Sequence, residues 1–230
     1  MNAHAAAHWP ALLQLASSAL PVGGFGYSQG LESAVELQQV RDEASAAVWI
    51  GDLLQFGFAR ADARWWRRAA QALQANEIDQ FAQINAQCWA SRETRELRLE
   101  SEQTGRSLLK WLRALDKGTL DAATLDQLDA LRPLTWPCAH AAACTALSLP
   151  AEPGLHALGW SLLENQVLAA VKLVPLGQDA GQRILNQLAQ RLPELVAEVL
   201  ASDTEPNTFL PLLALHSSAH ESQFSRLFRS

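Results

Sequence analysis

Lysine is nearly absent from this 230-residue chain, occurring only at Lys110, Lys117 and Lys172. The other basic residues are arginines, and Asp plus Glu outnumber Lys plus Arg by 24 to 18, a formal charge of -6. That balance removes the broad basic footprint on which general nucleic-acid binding depends. Cysteine is scarce as well. Cys88, Cys138 and Cys144 are odd in number and form no C-x-x-C pair, which excludes a disulfide framework or zinc knuckle and fits reduced thiols in a cytoplasmic protein. No uninterrupted apolar run reaches the roughly 20 residues of a membrane-spanning helix. No Lys or Arg precedes the apolar N-terminal stretch, so a secretory leader is not expected. Also missing is any alternating segment long enough for a sheet.

What is present is helical periodicity. Apolar residues make up 49% of the chain and charged ones 18%, enough to bury a substantial core in one all-α domain spanning residues 1–230. From Ala44 to Leu73, Val48, Leu53, Phe56, Trp65 and Trp66 recur at helical spacing. Gly51 and Gly57 interrupt that rod. Asn76 to Leu99 continues helical, with Arg92 and Glu96 as an i,i+4 pair on an exposed face where Glu96 and Glu100 stand among arginines. Lys117-Gly118 ends the following helix, Pro133 closes a short one and Pro137 opens another. Gly154 to Lys172 forms a long helix, and Gln182 to Leu200 an amphipathic one kinked at Pro193.

The organising stretch is Leu12 to Glu32, in which Pro21, Gly23, Gly24, Gly26 and Gly30 fall within ten residues. Gly26-Tyr27-Ser28-Gln29-Gly30 matches the G-x-S-x-G nucleophile elbow, which would make the chain a serine hydrolase acting through Ser28. The elbow requires a buried strand before it, and Leu20 to Phe25 supplies a proline and two glycines instead. The spacing is also not that of a dinucleotide fingerprint. Glycines that admit positive φ, with Phe25 and Tyr27 anchoring the loop, account for the pattern.

Other candidates are weaker still. Arg60, Arg64, Arg67 and Arg68 around Trp65-Trp66 predict a solvated arginine face over buried indoles. Cys138, His140 and Cys144 point to different faces of a helix and predict burial, not metal ligation. His216 and His220, like His4 and His8, share a face at i,i+4 but make half a metal site. Phe224, Leu227 and Phe228 align at i, i+3, i+4 between Arg226 and Arg229, the anchor pattern of a segment that orders in a partner's groove.

Four separated stretches carry a resemblance: LLQLASSALPVGGFGYSQGLE, REL followed by ESEQTGRSLLKWL, WSLLENQVLAAVKLVPLGQ, and the tail from His216 to Ser230. Together they resemble the UreF family of urease accessory proteins over nearly the whole chain. The resemblance implies a helical, dimeric, non-enzymatic chaperone without cofactor or bound metal of its own, working with the UreD (UreH) scaffold, the UreG GTPase and apo-urease during nickel insertion. On that basis Lys172, Gly24, Phe25 and Tyr27 are expected on a GTPase-facing dimer surface. Phe224, Arg226, Leu227, Phe228 and Arg229 are expected to dock the scaffold, with residues 1–8 and 216–230 mobile until partner-bound.

Overall fold

A computed structural model describes residues 8–115 and 120–230; His4 and the Lys117-Gly118 helix end lie outside them. Among the described residues there is no strand, and the architecture is all-α. The helices are α1 (Trp9–Ala16), α2 (Leu31–Glu36), α3 (Glu43–Asp52), α4 (Ala63–Gln74), α5 (Ile78–Ala90) and α6 (Arg95–Ala114). They continue as α7 (Ala122–Ala130), α8 (Trp136–Ala146), α9 (Ala151–Leu173), α10 (Gln178–Ala189), α11 (Leu192–Ala201) and α12 (Pro211–Glu221). A π-helical segment, Leu53–Asp62, joins α3 to α4, so the glycine-interrupted rod runs on as one wider-wound helix.

Two helices form the centre. α8 is lined on all sides by small residues, with Cys138, Ala139, His140, Ala141, Ala142, Ala143 and Cys144 all buried, which lets α4 and α6 close on it. α9 is buried along Leu155, Leu158, Leu163, Val167 and Ala170 and is flanked by α1, α10, α11 and the π segment. A helix apolar nearly all round belongs in the middle of a bundle. At Gly105 the approach of α6 to the start of α8 is so close that a Cβ would sit 2.3 Å from the Leu134 carbonyl oxygen. Only glycine fits there.

Three sequence expectations are corrected. The helix from Asn76 to Leu99 breaks at residues 91–94, where Thr94 caps a new helix by accepting from Leu97 N at 3.2 Å. Arg92 therefore faces Asp62 of the π segment instead of Glu96, and Glu96 and Glu100 turn inward. Pro193 does not kink one long helix; it sits in the first turn of α11, a position that tolerates its missing N–H. Of the four arginines around Trp65 and Trp66, Arg60 is exposed as expected, over the Phe56 ring, but the other three are not a solvated face. Arg64 is buried against Glu198, Arg67 donates to the Val199 and Ser202 carbonyls, and Arg68 pairs with Glu205, tying α4 to α11 and to the chain just beyond it. The indoles are buried as expected, and Trp66 Nε1 donates to His140 Nδ1 at 3.0 Å. Burial drives the His140 imidazole down to about 3, which keeps it neutral and able to accept.

Gly105→Ala is expected to destabilise the protein by about 2 kcal/mol in urea unfolding, because the obstacle is backbone that cannot rotate away. The substitution gains helix propensity of at most ~1 kcal/mol.

Candidate functional site

The glycine-rich stretch forms a tight loop in which Gly23 and Gly30 hold φ of 77° and 76°, the left-handed region that a side chain disfavours. A short 3-10 turn, Gly24–Gly26, lies between them. Tyr27 is buried and its hydroxyl donates to Gln103 Oε1 of α6 at 2.6 Å. Phe25, expected to anchor the loop with it, points out instead and is 60% exposed. The difference is local: α6 supplies a polar partner for the Tyr27 hydroxyl, whereas Phe25 sits at the middle of the Gly24–Gly26 turn.

Residues 227–230 lie along this loop. Arg229 N donates to the Gly26 carbonyl and Ser28 N to the Ser230 carbonyl, each at 2.8 Å. The Ser28 hydroxyl, fully buried, also donates to the Ser230 carbonyl and accepts from Glu32 N. That hydroxyl is occupied in holding the tail, and no strand leads into it, so the G-x-S-x-G match has none of the geometry of a nucleophile elbow. Phe228 is 6% exposed, and Lys172 Nζ stands over its ring at 5.7 Å from the centroid. Lys172 lies in the last turn of α9, where its charge also complements the helix dipole.

Thus the two groups of residues expected on separate surfaces come together. Lys172 stands over Phe228, and the loop that holds Gly24 and Tyr27 is bonded at Gly26 to Arg229, whereas Phe224 and Leu227 project outward, Phe224 fully and Leu227 at 65% exposure. Residues 216–230 lie against the body through α12 and through the bonds of residues 227–230 to the loop and to Glu32. His216, Ser217 and His220 are buried on α12, which packs on α2 and α6.

The residues that hold this arrangement include four the sequence does not single out for it. Glu32, in the first turn of α2, accepts from Leu227 N at 2.6 Å and Phe228 N at 2.8 Å, and its carboxylate also faces His220 Nε2 at 3.2 Å. Glu96 faces His220 Nδ1 at 2.8 Å and pairs with Arg226 at 3.1 Å. Glu100 accepts from Gln29 Nε2 at 2.7 Å and from the Ser230 hydroxyl at 3.0 Å. His216 Nδ1 meets the Ser33 hydroxyl at 3.3 Å and Nε2 meets Gln39 Oε1 at 2.8 Å; burial lowers its proton affinity, consistent with a neutral ring. The available signal was the paired spacing: Glu96 with Glu100 and His216 with His220 are both i,i+4, so one helical face of each can address the other. Behind the loop lies a cavity of about 60 Å³ lined in part by Gly24, Gln29, Asp62, Arg92, Glu100 and Asn165. Among the described residues no group of three or more His, Cys, Asp and Glu is placed to hold a metal ion, and no helix is long and apolar enough to cross a membrane.

An all-α body with a loop and tail bonded into one surface defines a protein whose assets are shape and exposed apolar and basic side chains. The UreF family model matches residues 40–189. The chain is 51% identical over 222 residues to the urease accessory protein UreF of Bordetella parapertussis, covering 95% of this chain and 100% of the relative. It is 45% identical over 224 residues to that of Polynucleobacter asymbioticus, covering 96% of each. It is also 52% identical over 224 residues to a bifunctional urease accessory protein UreEF of Bordetella bronchiseptica, and there it spans 96% of its own length but about half, 51%, of the relative. The chain belongs to the UreF family of urease accessory proteins.

Burial raises the Glu100 carboxyl from 4.5 to about 7. The folded state therefore keeps a proton that the unfolded state has released, so this group's stabilising contribution is present at low pH and is lost as pH rises through about 7. The stability of the wild type relative to Glu100→Gln is expected to fall between about pH 5 and pH 8, read as the difference in urea midpoints; a pH-independent difference would show that burial leaves this carboxyl unperturbed.

Proposed function

We propose that this chain is a urease-maturation chaperone that makes and breaks no covalent bonds. It acts as a homodimeric adaptor joining the UreD/UreH scaffold to the UreG GTPase, and gates GTP-dependent nickel insertion into apo-urease. Membership of the UreF family supports the urease side of this reading. The observation that carries the adaptor role is the tail bonded along the glycine loop, with Phe25, Phe224 and Leu227 exposed on these two segments and the basic side chains of Lys172, Arg226 and Arg229 exposed as well. Exposed aromatic and aliphatic anchors ringed by arginine are the composition of a protein–protein hot spot.

On this reading the tail from Ser222 to Ser230 docks the scaffold, exchanging between a mobile state and the seated one. The loop with Lys172 meets the GTPase. Gating follows from differential binding: a surface complementary to one nucleotide state of the GTPase shifts its population towards that state. A buried Ser28 whose hydroxyl is already spent on Ser230 and Glu32 weighs against the hydrolase alternative.

Because Phe224 and Leu227 touch little of their own chain, the double variant Phe224→Ala/Leu227→Ala is expected to keep its stability within about 0.5 kcal/mol. It should nevertheless lose co-purification with tagged UreD/UreH and fail to support urease activation. Lys172→Ala should fold normally and mature urease poorly. Undiminished complex formation and full urease activation by the double variant would contradict the adaptor surface.

A further inference from the structure

Hydrogen-bonding atoms shut inside a protein are almost always paired. Among the described residues seven buried side-chain atoms are not, and three of these belong to residues that line the cavity behind the loop. They are Asn165 Oδ1 and Gln166 Oε1 of α9, and Arg92 Nε from the break between α5 and α6. The other four, on Trp49, Trp65, Trp89 and His140, lie away from it. Gln166 is 1% exposed, on a helix buried on either side of it through Leu163 and Val167. A carboxamide oxygen left without a donor in such a place is costly. Ser161, one turn before Asn165 and also buried, adds a hydroxyl to the same wall. The loop meets Asn165 with Gly24, where a Cβ would come 2.9 Å from Nδ2, so the want of a side chain there leaves the amide uncrowded.

What these atoms demand is specific. A carbonyl oxygen only accepts and a guanidinium N–H only donates, so the three together call for two donors and one acceptor. The charges in the walls are balanced: Arg92 pairs with Asp62, and Glu100, already bonded to Gln29 and Ser230, has its carboxyl raised by burial to about 7. An anion would meet two carbonyl oxygens and the Asp62 carboxylate, and a cation would meet the Arg92 guanidinium. The cavity is about 60 Å³, and since one water fills roughly 10–15 Å³ it has room for about four or five non-hydrogen atoms. We propose that this cavity binds a small uncharged molecule that carries N–H donors beside a carbonyl, the class of urea and the short primary amides. Its N–H groups satisfy Asn165 Oδ1 and Gln166 Oε1, and its carbonyl oxygen, with two lone pairs, accepts from Arg92 Nε and from the Ser161 hydroxyl. Neither an alcohol nor a simple ion offers that set. Because the loop, the π segment, α6 and α9 all contribute to the walls, a molecule held there touches all four. The inference rests on the cavity alone and stands apart from the partners assigned to the chain.

The test is a titration of ¹⁵N-labelled full-length protein with urea and, separately, with acetamide, at millimolar concentrations far below those that unfold proteins. The side-chain amide signals of Asn165 and Gln166 and the backbone amide of Gly24 report the cavity. The expected result is a saturable shift of these signals with a Kd of about 0.1–10 mM, the range open to a ligand of so few atoms. Sodium formate and ammonium chloride, an anion and a cation of similar size, should give no saturable shift. Gln166→Met, close in volume and without the carbonyl, should weaken both ligands by about tenfold or more, while its thermal unfolding is unchanged or occurs at a higher temperature. Asn165→Ala should weaken them likewise, and decides the matter if Gln166→Met fails to fold. Shifts that rise linearly without saturating, binding that both variants retain, or a response to formate or ammonium stronger than that to urea would overturn the proposal; the first of these would leave the cavity to water alone.

Discussion

Glu32 is where the loop, α12 and the tail are tied together. Its carboxylate is buried, and it is kept there by two backbone amides of the tail and by His220, so the desolvation of one charge is offset by donors from two separate parts of the chain. Charge-assisted bonds of this kind are about twice as strong as neutral ones. A buried carboxylate left without partners is strongly destabilising. The consequence is directional: with Glu32 at the foot of the glycine loop, the tail's backbone has one favourable place to lie, and that place sets which side chains face out. Phe228 is turned in beneath Lys172, while Phe224 and Leu227 are left on the surface.

The rest of the bundle serves to hold this point still. α6 carries Glu96, Glu100 and Gln103 on the face that addresses the loop, and Gly105 one turn on lets the same helix close onto the start of α8. α9 carries Lys172 at one end and Asn165 beneath Gly24. The site is therefore assembled from rigid helices around a loop whose own shape needs left-handed glycines.

Much of this was legible in the chain itself. The all-α class follows from periodicity near 3.6 and from the want of any alternating run, and the loop announces itself through Pro21 and its glycines. What stayed hidden depends on contacts between residues far apart in sequence. Arg92 and Glu96 have the spacing of an exposed helical pair, yet the break at residues 91–94 sends Arg92 to Asp62 and Glu96 to His220. Glu32 carries no local mark of its role, because its partners lie about 190 residues later. The tail reads as a free amphipathic segment since Phe224, Leu227 and Phe228 suit a helix; it is in fact non-helical, and only Phe228 of the three is buried.

The claim on which everything else depends is that Glu32 and the tail stabilise each other. A double-mutant cycle measures it directly, by urea unfolding of the wild type, Glu32→Gln, a chain lacking residues 227–230, and the combination. A coupling energy of about 1–3 kcal/mol is predicted, with Glu32→Gln much less damaging once the tail is gone. Strictly additive losses would contradict the account, because the carboxylate and the tail would then be stabilised independently.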